Sequence, residues 1–227
     1  MKSFKMINLA ALAILAAACN DNDNIADIEN VKPVEIVNGQ ENGFDYADLG
    51  LPSGTLWATC NVGATSPEQA GLYFAFGETT GYTDKKIVKS VGVKERFTSL
   101  SKISWENRFK YDAASVCMGE NWRIPTDFHI RHLRKYTNRA WVWDYKGTGV
   151  AGMIFTSKIN GNSVFFPAAG LANGDDIFGI GEHGDYHVWS LQEYFLPWKL
   201  HFNADGLYMD KILLRHIRYS IRGVWER

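Results

Sequence analysis

Three cysteines, six prolines and a charge count that almost cancels mark out this 227-residue chain by what it has little of. So few cysteines exclude a small scaffold held together by disulfides. No apolar run reaches the ~20 residues a bilayer-crossing helix needs. With 24 basic against 25 acidic residues there is no positive excess, so a nucleic-acid partner has no electrostatic support. There is no long repeat and no low-complexity tract, which removes solenoids and disordered linkers as descriptions of the whole. What remains is 46% apolar and 14% aromatic, enough for a packed core, with 21 glycines for a loop-rich fold.

The N-terminus reads as a leader. Met1-Lys2-Ser3-Phe4-Lys5 is a positive n-region, Ile7 to Ala18 is almost wholly apolar, and Ala16-Ala17-Ala18 precede Cys19. Small residues before a Cys look like a bacterial lipobox, with Leu15 one place further out than the usual pattern. Cleavage there makes Cys19 the lipidated N-terminus, whose acyl chains exceed the two needed for stable anchoring. The alternative is an ordinary cleavable signal. Asn20-Asp21-Asn22-Asp23-Asn24 resembles the surface-export signal of some outer-membrane lipoproteins. Loss of residues 1–18 removes Lys2 and Lys5 and no acid, for a net charge of about −3. The expected organisation is a signal peptide at 1–18, a polar tether at 19–42 with one short strand at Val34 to Val37, and a single domain at 43–227. The expected location is the outer membrane, facing outward and held by the lipid anchor alone.

Within the domain, Asp45 to Ala64 is expected to hold two short strands around Pro52-Ser53-Gly54, and Leu72 to Glu78 a third. Ser66-Pro67-Glu68-Gln69 has the order of a helix start, with Ser as cap, Pro at the first helical position and Gln69 closing a capping box, and Gly71 ends this short turn. Residues 79–110 are polar and Lys-rich, a long surface excursion. Asp112 caps a short helix that Gly119 stops. Thr126 caps a second, with Ile130, Leu133 and Thr137 on one face and Arg131, Arg134 and Lys135 in the later turns, where the dipole favours cations. Trp141 to Tyr145, Met153 to Lys158 and Ser163 to Phe166 are expected strands, and Asn160-Gly161 is a strong hairpin signal. Residues 171–187 read as a Gly- and Asp-rich loop. The fold class on this reading is α+β, two short helices packed on small antiparallel sheets with long loops.

The C-terminal fifth supplies the clearest periodicity. Trp198, Leu200 and Phe202 alternate with Lys199, His201 and Asn203, the period-2 pattern of a half-buried strand. Asn203-Ala204-Asp205-Gly206 is a turn, and Leu207 and Met209 resume the buried face. Asp210 to Arg218 then mixes apolar, aromatic and charged residues with no period, as a presented surface does.

These residues also carry a resemblance. Asp48-Leu49-Gly50-Leu51-Pro52-Ser53-Gly54, Trp57 to Ala64, Tyr73 to Thr80, Asp112-Ala113-Ala114, Trp122-Arg123-Ile124-Pro125-Thr126, Phe165 to Gly170, Trp189-Ser190, Phe202-Asn203 and Ser220-Ile221-Arg222 occur in one order over residues 44–225. In this the chain resembles the "major paralogous domain" group of bacterial secreted lipoproteins, whose fold is similar to C-type-lectin-like domains and to the formylglycine-generating enzyme. Some proteins of that wider fold are variable proteins of diversity-generating retroelements, in which adenine-directed mutagenesis rewrites codons near the C-terminus. The stretch Met209 to His216 stands where such relatives carry Asn- and Tyr-rich runs, and Asp, Ile, His, Leu and Arg are all reachable from an Asn codon; Lys211 is not. The chain departs from calcium-dependent lectins, since the Pro in Leu196-Pro197-Trp198 has no carboxylate or amide beside it. It departs from the formylglycine-generating enzymes, since no Cys follows Cys117.

The remaining constellations have plain readings. His129 and His132, among Arg and Lys, read as a solvated face rather than a metal site. Asp175, Asp176, Glu182 and Asp185 read as a solvated turn, with structural calcium as the alternative. Cys60 and Cys117 pair or stand apart as buried thiols; both remain open. Trp57, Trp122, Trp189 and Trp225 are expected core. No catalytic constellation, cofactor or metal is expected. The expected function is binding of a protein or glycan ligand, as a receptor or adhesin, through Gln192, Tyr194, Phe195, Lys199, His201, Tyr208, Asp210, Lys211, Leu213, Leu214, Arg215, His216, Arg218 and Tyr219. The alternatives are a structural or accessory subunit of a surface fimbria or envelope assembly and, behind it, a carbohydrate-active enzyme.

Overall fold

The computed structural model describes residues 37–83, 109–189 and 197–226. The signal peptide, Cys19, most of the tether, much of the Lys-rich excursion, and Gln192, Tyr194 and Phe195 lie outside the described residues. No helix among those described is long and apolar enough to cross a membrane.

The α+β expectation is overturned: the chain is mostly β, with thirteen strands and two short α-helices among the described residues. One local cause is plain: residues 171–187 are not a loop but a small hairpin, β8 (Leu171–Asn173) with β9 (Asp176–Phe178), followed by most of the seven-residue strand β10 (His183–Trp189). Ser66 to Gln69 makes a short turn, in which the Gln69 side chain reaches back to accept from the Thr65 backbone, and Gly71 at φ +72° ends it before a helix can propagate. Leu72 to Glu78 is also not a strand; it is stitched by single bridges, Tyr73 to Tyr82 and Phe74 to Tyr219.

A five-stranded sheet runs in the order β1 (Gly39–Glu41), β2 (Phe44–Asp48), β3 (Thr55–Asn61), β13 (Arg222–Glu226), β4 (Trp122–Arg123). It joins the two ends of the domain, and β1 starts four residues before the expected boundary. β3 is covered on both faces, so its alternation sorts side chains between two cores: Trp57 enters one, Leu56 and Ala58 the other. A second sheet, β5 (Thr137–Val142), β6 (Gly152–Ser157) and β7 (Ser163–Pro167), carries the hairpin foreseen at Asn160-Gly161. A third pairs β10 with β11 (Pro197–Asn203) and β12 (Gly206–Lys211).

The helices are placed where their caps put them. α1 (Ala113–Met118) starts at Asp112, which accepts from the backbone N–H of Ser115 and of Ile124, and ends at Gly119. α2 (Asp127–Tyr136) starts with a capping box in which the His129 ring accepts from the Thr126 backbone N–H. Ile130 and Leu133 of α2 enter the larger core with Trp57, Trp141, Phe155, Phe166, Tyr186 and Phe202. His129 and His132 do not form a solvated face. His129 is buried, with Nε2 2.7 Å from Glu226 Oε1, and the His132 ring packs between Phe128 and Tyr136. Cys60 and Cys117 are not joined, and Cys117 is exposed rather than buried. Trp57 and Trp122 are fully buried, whereas Trp189 and Trp225 pack against the smaller core half-covered.

Candidate binding surface

In the sheet β10-β11-β12, period 2 settles which side chains go where. Tyr186, Val188, Leu200, Phe202 and Leu207 point into the core. The register places Asp185 opposite His201, His201 opposite Tyr208, His183 opposite Asn203 and Lys199 opposite His187 and Asp210. Directly opposed residues share a face, so these side chains gather on the other side of the sheet.

Asp185 is the centre of that face and is completely buried, not part of a solvated turn. Lys199 Nζ lies 2.6 Å and His201 Nδ1 3.0 Å from its Oδ1, and His183 Nδ1 lies 2.9 Å from its Oδ2. Burial alone would raise the carboxyl; the surrounding His183, His201 and Lys199 more than offset it and hold Asp185 well below the usual carboxylate range. The His183 and His201 rings lie 5.4 Å apart, and Tyr208 stacks on His201 from the solvent side at 6.3 Å. Tyr219 roofs the other end, under the Lys199 ammonium and against the His187 ring. Burial, and then the Asp185 charge, push its hydroxyl up to about 12, so it stays protonated.

Beyond β12 the chain forms a pinned loop. Ile212 and Ile217 are buried with Tyr219 in a small cluster of their own. The Ile212 N–H donates to Pro197 O, and Arg218 and Tyr219 are stitched by paired backbone hydrogen bonds to Ala172 and Phe74. Arg218 Nε lies 3.1 Å from the buried Glu78 carboxylate, which also accepts from the Ala75 N–H. Between these anchors Leu213 is 87% and Leu214 57% exposed, with His216 exposed beside them. Burying two leucines is worth about 1.5–3 kcal/mol each, so fixed anchors holding both in water is a feature that asks for a partner.

The expected surface residues thus fall into three groups. Tyr208, Asp210, Lys211, Leu213, Leu214 and His216 are exposed along one rim. Lys199 and His201 belong to the Asp185 cluster. Arg218 and Tyr219 are anchors beneath the surface, and Arg215 lies half-covered over the Phe76 ring. Asp185 and His183 are the functional-type residues that the reading of the chain missed. The signal was there: His183-Gly184-Asp185-Tyr186-His187-Val188 alternates with period 2, in phase with the strand that follows. Comparison with known protein families, curated proteins and solved structures gives no match to this chain.

Proposed function

We propose that this chain is a surface lipoprotein whose C-terminal region binds a ligand, without catalysis, through the rim from Tyr208 to His216. The observation that carries the reading is the pair Leu213 and Leu214, held in water by a loop whose flanking isoleucines are buried. Rigid apolar side chains beside charged ones suit a protein partner better than a glycan, whose hydroxyls demand amides and carboxylates. The resemblance to secreted lipoproteins, the leader ending just before Cys19 and the Asn-codon-accessible residues at 210 and 212–216 support display outside the cell and diversification of this loop.

A photo-crosslinking residue at Leu213 or Leu214, compared with one at Ile159 on the β6–β7 turn, which at 52% is about as exposed as Leu214, tests the surface on intact cells. Adducts at 213 that disappear with Leu214→Ser, and none at 159, support it; equal yields at both positions would remove it. Radiolabelled palmitate on the wild type, lost with Cys19→Ala, tests the anchor. Retroelement diversification requires a neighbouring reverse-transcriptase gene and a near-copy of codons 185–220 differing at adenines.

A further inference from the structure

The geometry points to a transition-metal site at His183, Asp185 and His201, of the type that takes Zn2+ or Co2+. Their ligand atoms all lie within 4.8 Å of one another. Both imidazoles turn Nδ1 toward the carboxylate, at 2.9 and 3.0 Å. Ligands bound tetrahedrally at the usual zinc distances of about 2.0–2.2 Å are separated by ~3.3 Å, so small movements admit an ion. Two imidazoles and one carboxylate form a three-ligand set that leaves a fourth position open. Hard cations such as Ca2+ prefer oxygen ligands and are not suited.

A second observation is independent of that clustering. His183 Nδ1 and Asp185 Oδ2, both out of contact with solvent, make no hydrogen bond of acceptable geometry despite their closeness. A buried carboxylate oxygen without a well-aligned donor is costly, and here it faces an equally unmatched imidazole nitrogen. The surrounding structure holds these groups in place. The far side of the His183 ring rests on Gly179, where an added Cβ would lie 1.9 Å from Nε2, so only Nδ1 is available. Lys199 grips the other carboxylate oxygen at 2.6 Å and fixes its plane, leaving Oδ2 as the ligand oxygen. Lys199 also weakens the site by its charge. The site touches that rim only through Tyr208, which stacks on His201, and shares no ligand with it, so the two readings fail separately.

The test is titration of tag-free protein, stripped with a chelator, with Zn2+ by calorimetry and thermal shift and with Co2+ by visible absorption. The expected result is a single site, a raised unfolding temperature and the intense d–d bands of four-coordinate Co2+. His183→Gln and His201→Gln are each expected to weaken binding by at least about 100-fold, and Cys117→Ser to leave it unchanged. Lys199→Met should tighten it, which a merely structural ion-pair cluster would not show. Asp185→Asn is a fourth variant; if it does not fold, the two histidine variants, whose side chains are partly exposed, decide. No Co2+ bands, or wild-type affinity in both histidine variants, would overturn the assignment and leave the imidazoles as polar neighbours of Asp185.

Discussion

Arg222 and Asp185 are both fully buried charges, and the fold answers them in opposite ways. Arg222 Nε donates to Asn61 Oδ1 at 2.9 Å, Nη1 to the Ala58 and Thr59 carbonyls and Nη2 to the Phe165 carbonyl at 2.9 Å, with the Phe166 ring beneath. Those carbonyls belong to strands β3 and β7, which cannot move without unmaking their sheets. Asp185 instead meets side chains, Lys199, His183 and His201, each of which is partly open to solvent. One strand separates the two arrangements. Tyr186 faces the core, where its hydroxyl joins Asn61 and Pro167 O and burial pushes it up to about 12. Its neighbour Asp185 faces the other way. A charge closed by backbone is a clamp; a charge met by side chains at a half-open face is a site.

The comparison breaks first if Arg222 proves dispensable. Arg222→Met leaves three backbone carbonyls and an amide oxygen without their donor, at about 1–3 kcal/mol for a buried unsatisfied group. Urea unfolding is expected to show a loss above about 3 kcal/mol. Arg222→Lys should recover little, because a point-charge ammonium cannot span the fork. Asp185→Asn comes next, at about 1–2 kcal/mol, since Lys199, His183 and His201 are each partly open to solvent. An equal loss for the two variants would mean that the Asp185 cluster is as closed as the Arg222 one.

A third buried group sharpens the same point by pH. Burial lowers His129, with the Glu226 hydrogen bond working the other way, and its Nδ1 is occupied as an acceptor of the Thr126 N–H. The folded-state value lies below the unfolded value of about 6.5, so between them the unfolded chain binds more protons. The stability contributed by the neutral ring is present above about pH 6.5 and is lost as the pH falls through the folded-state value. His129→Asn should flatten the stability profile between pH 7 and 5. A wild-type slope in that variant would shift the cause to another group.

Much of the framework was legible because local rules governed it. Asp112, Gly119 and Thr126 sit at the helix ends they were expected to cap, and Asn160-Gly161 turns the expected hairpin. The register of β11 and β12 follows the alternation from Trp198 to Met209. The failures are non-local. Nothing near Leu72 announces that it will pack over Gly63 and Gly81 and be stitched by single bridges rather than form a strand. Gly- and Asp-rich residues 171–187 hid a short hairpin and most of β10, whose partner β11 lies further along the chain. Once β10 was taken as loop, its face had no direction, and Asp185 passed for a solvated acid. Arg222 was recognisable as part of a motif, but only the fold shows that Ala58, Thr59 and Phe165 converge on it.

The smallest expected effect on stability belongs to the leucine rim, and it separates display from support. Leu213→Ser and Leu214→Ser remove side chains that already lie in water, so each should change unfolding free energy by no more than about 0.5 kcal/mol. Ile212→Ser, next to Leu213, and Ile217→Ser, at the far end of the loop beyond Arg215 and His216, remove buried side chains and are expected to cost about 2 kcal/mol or more. A surface evolved for contact must show that contrast across adjacent positions: exposed residues free to vary, held by anchors that are not. Chemical denaturation of the four variants decides it. If the leucines cost as much as the isoleucines, the loop folds back on itself in solution, and the rim is support after all.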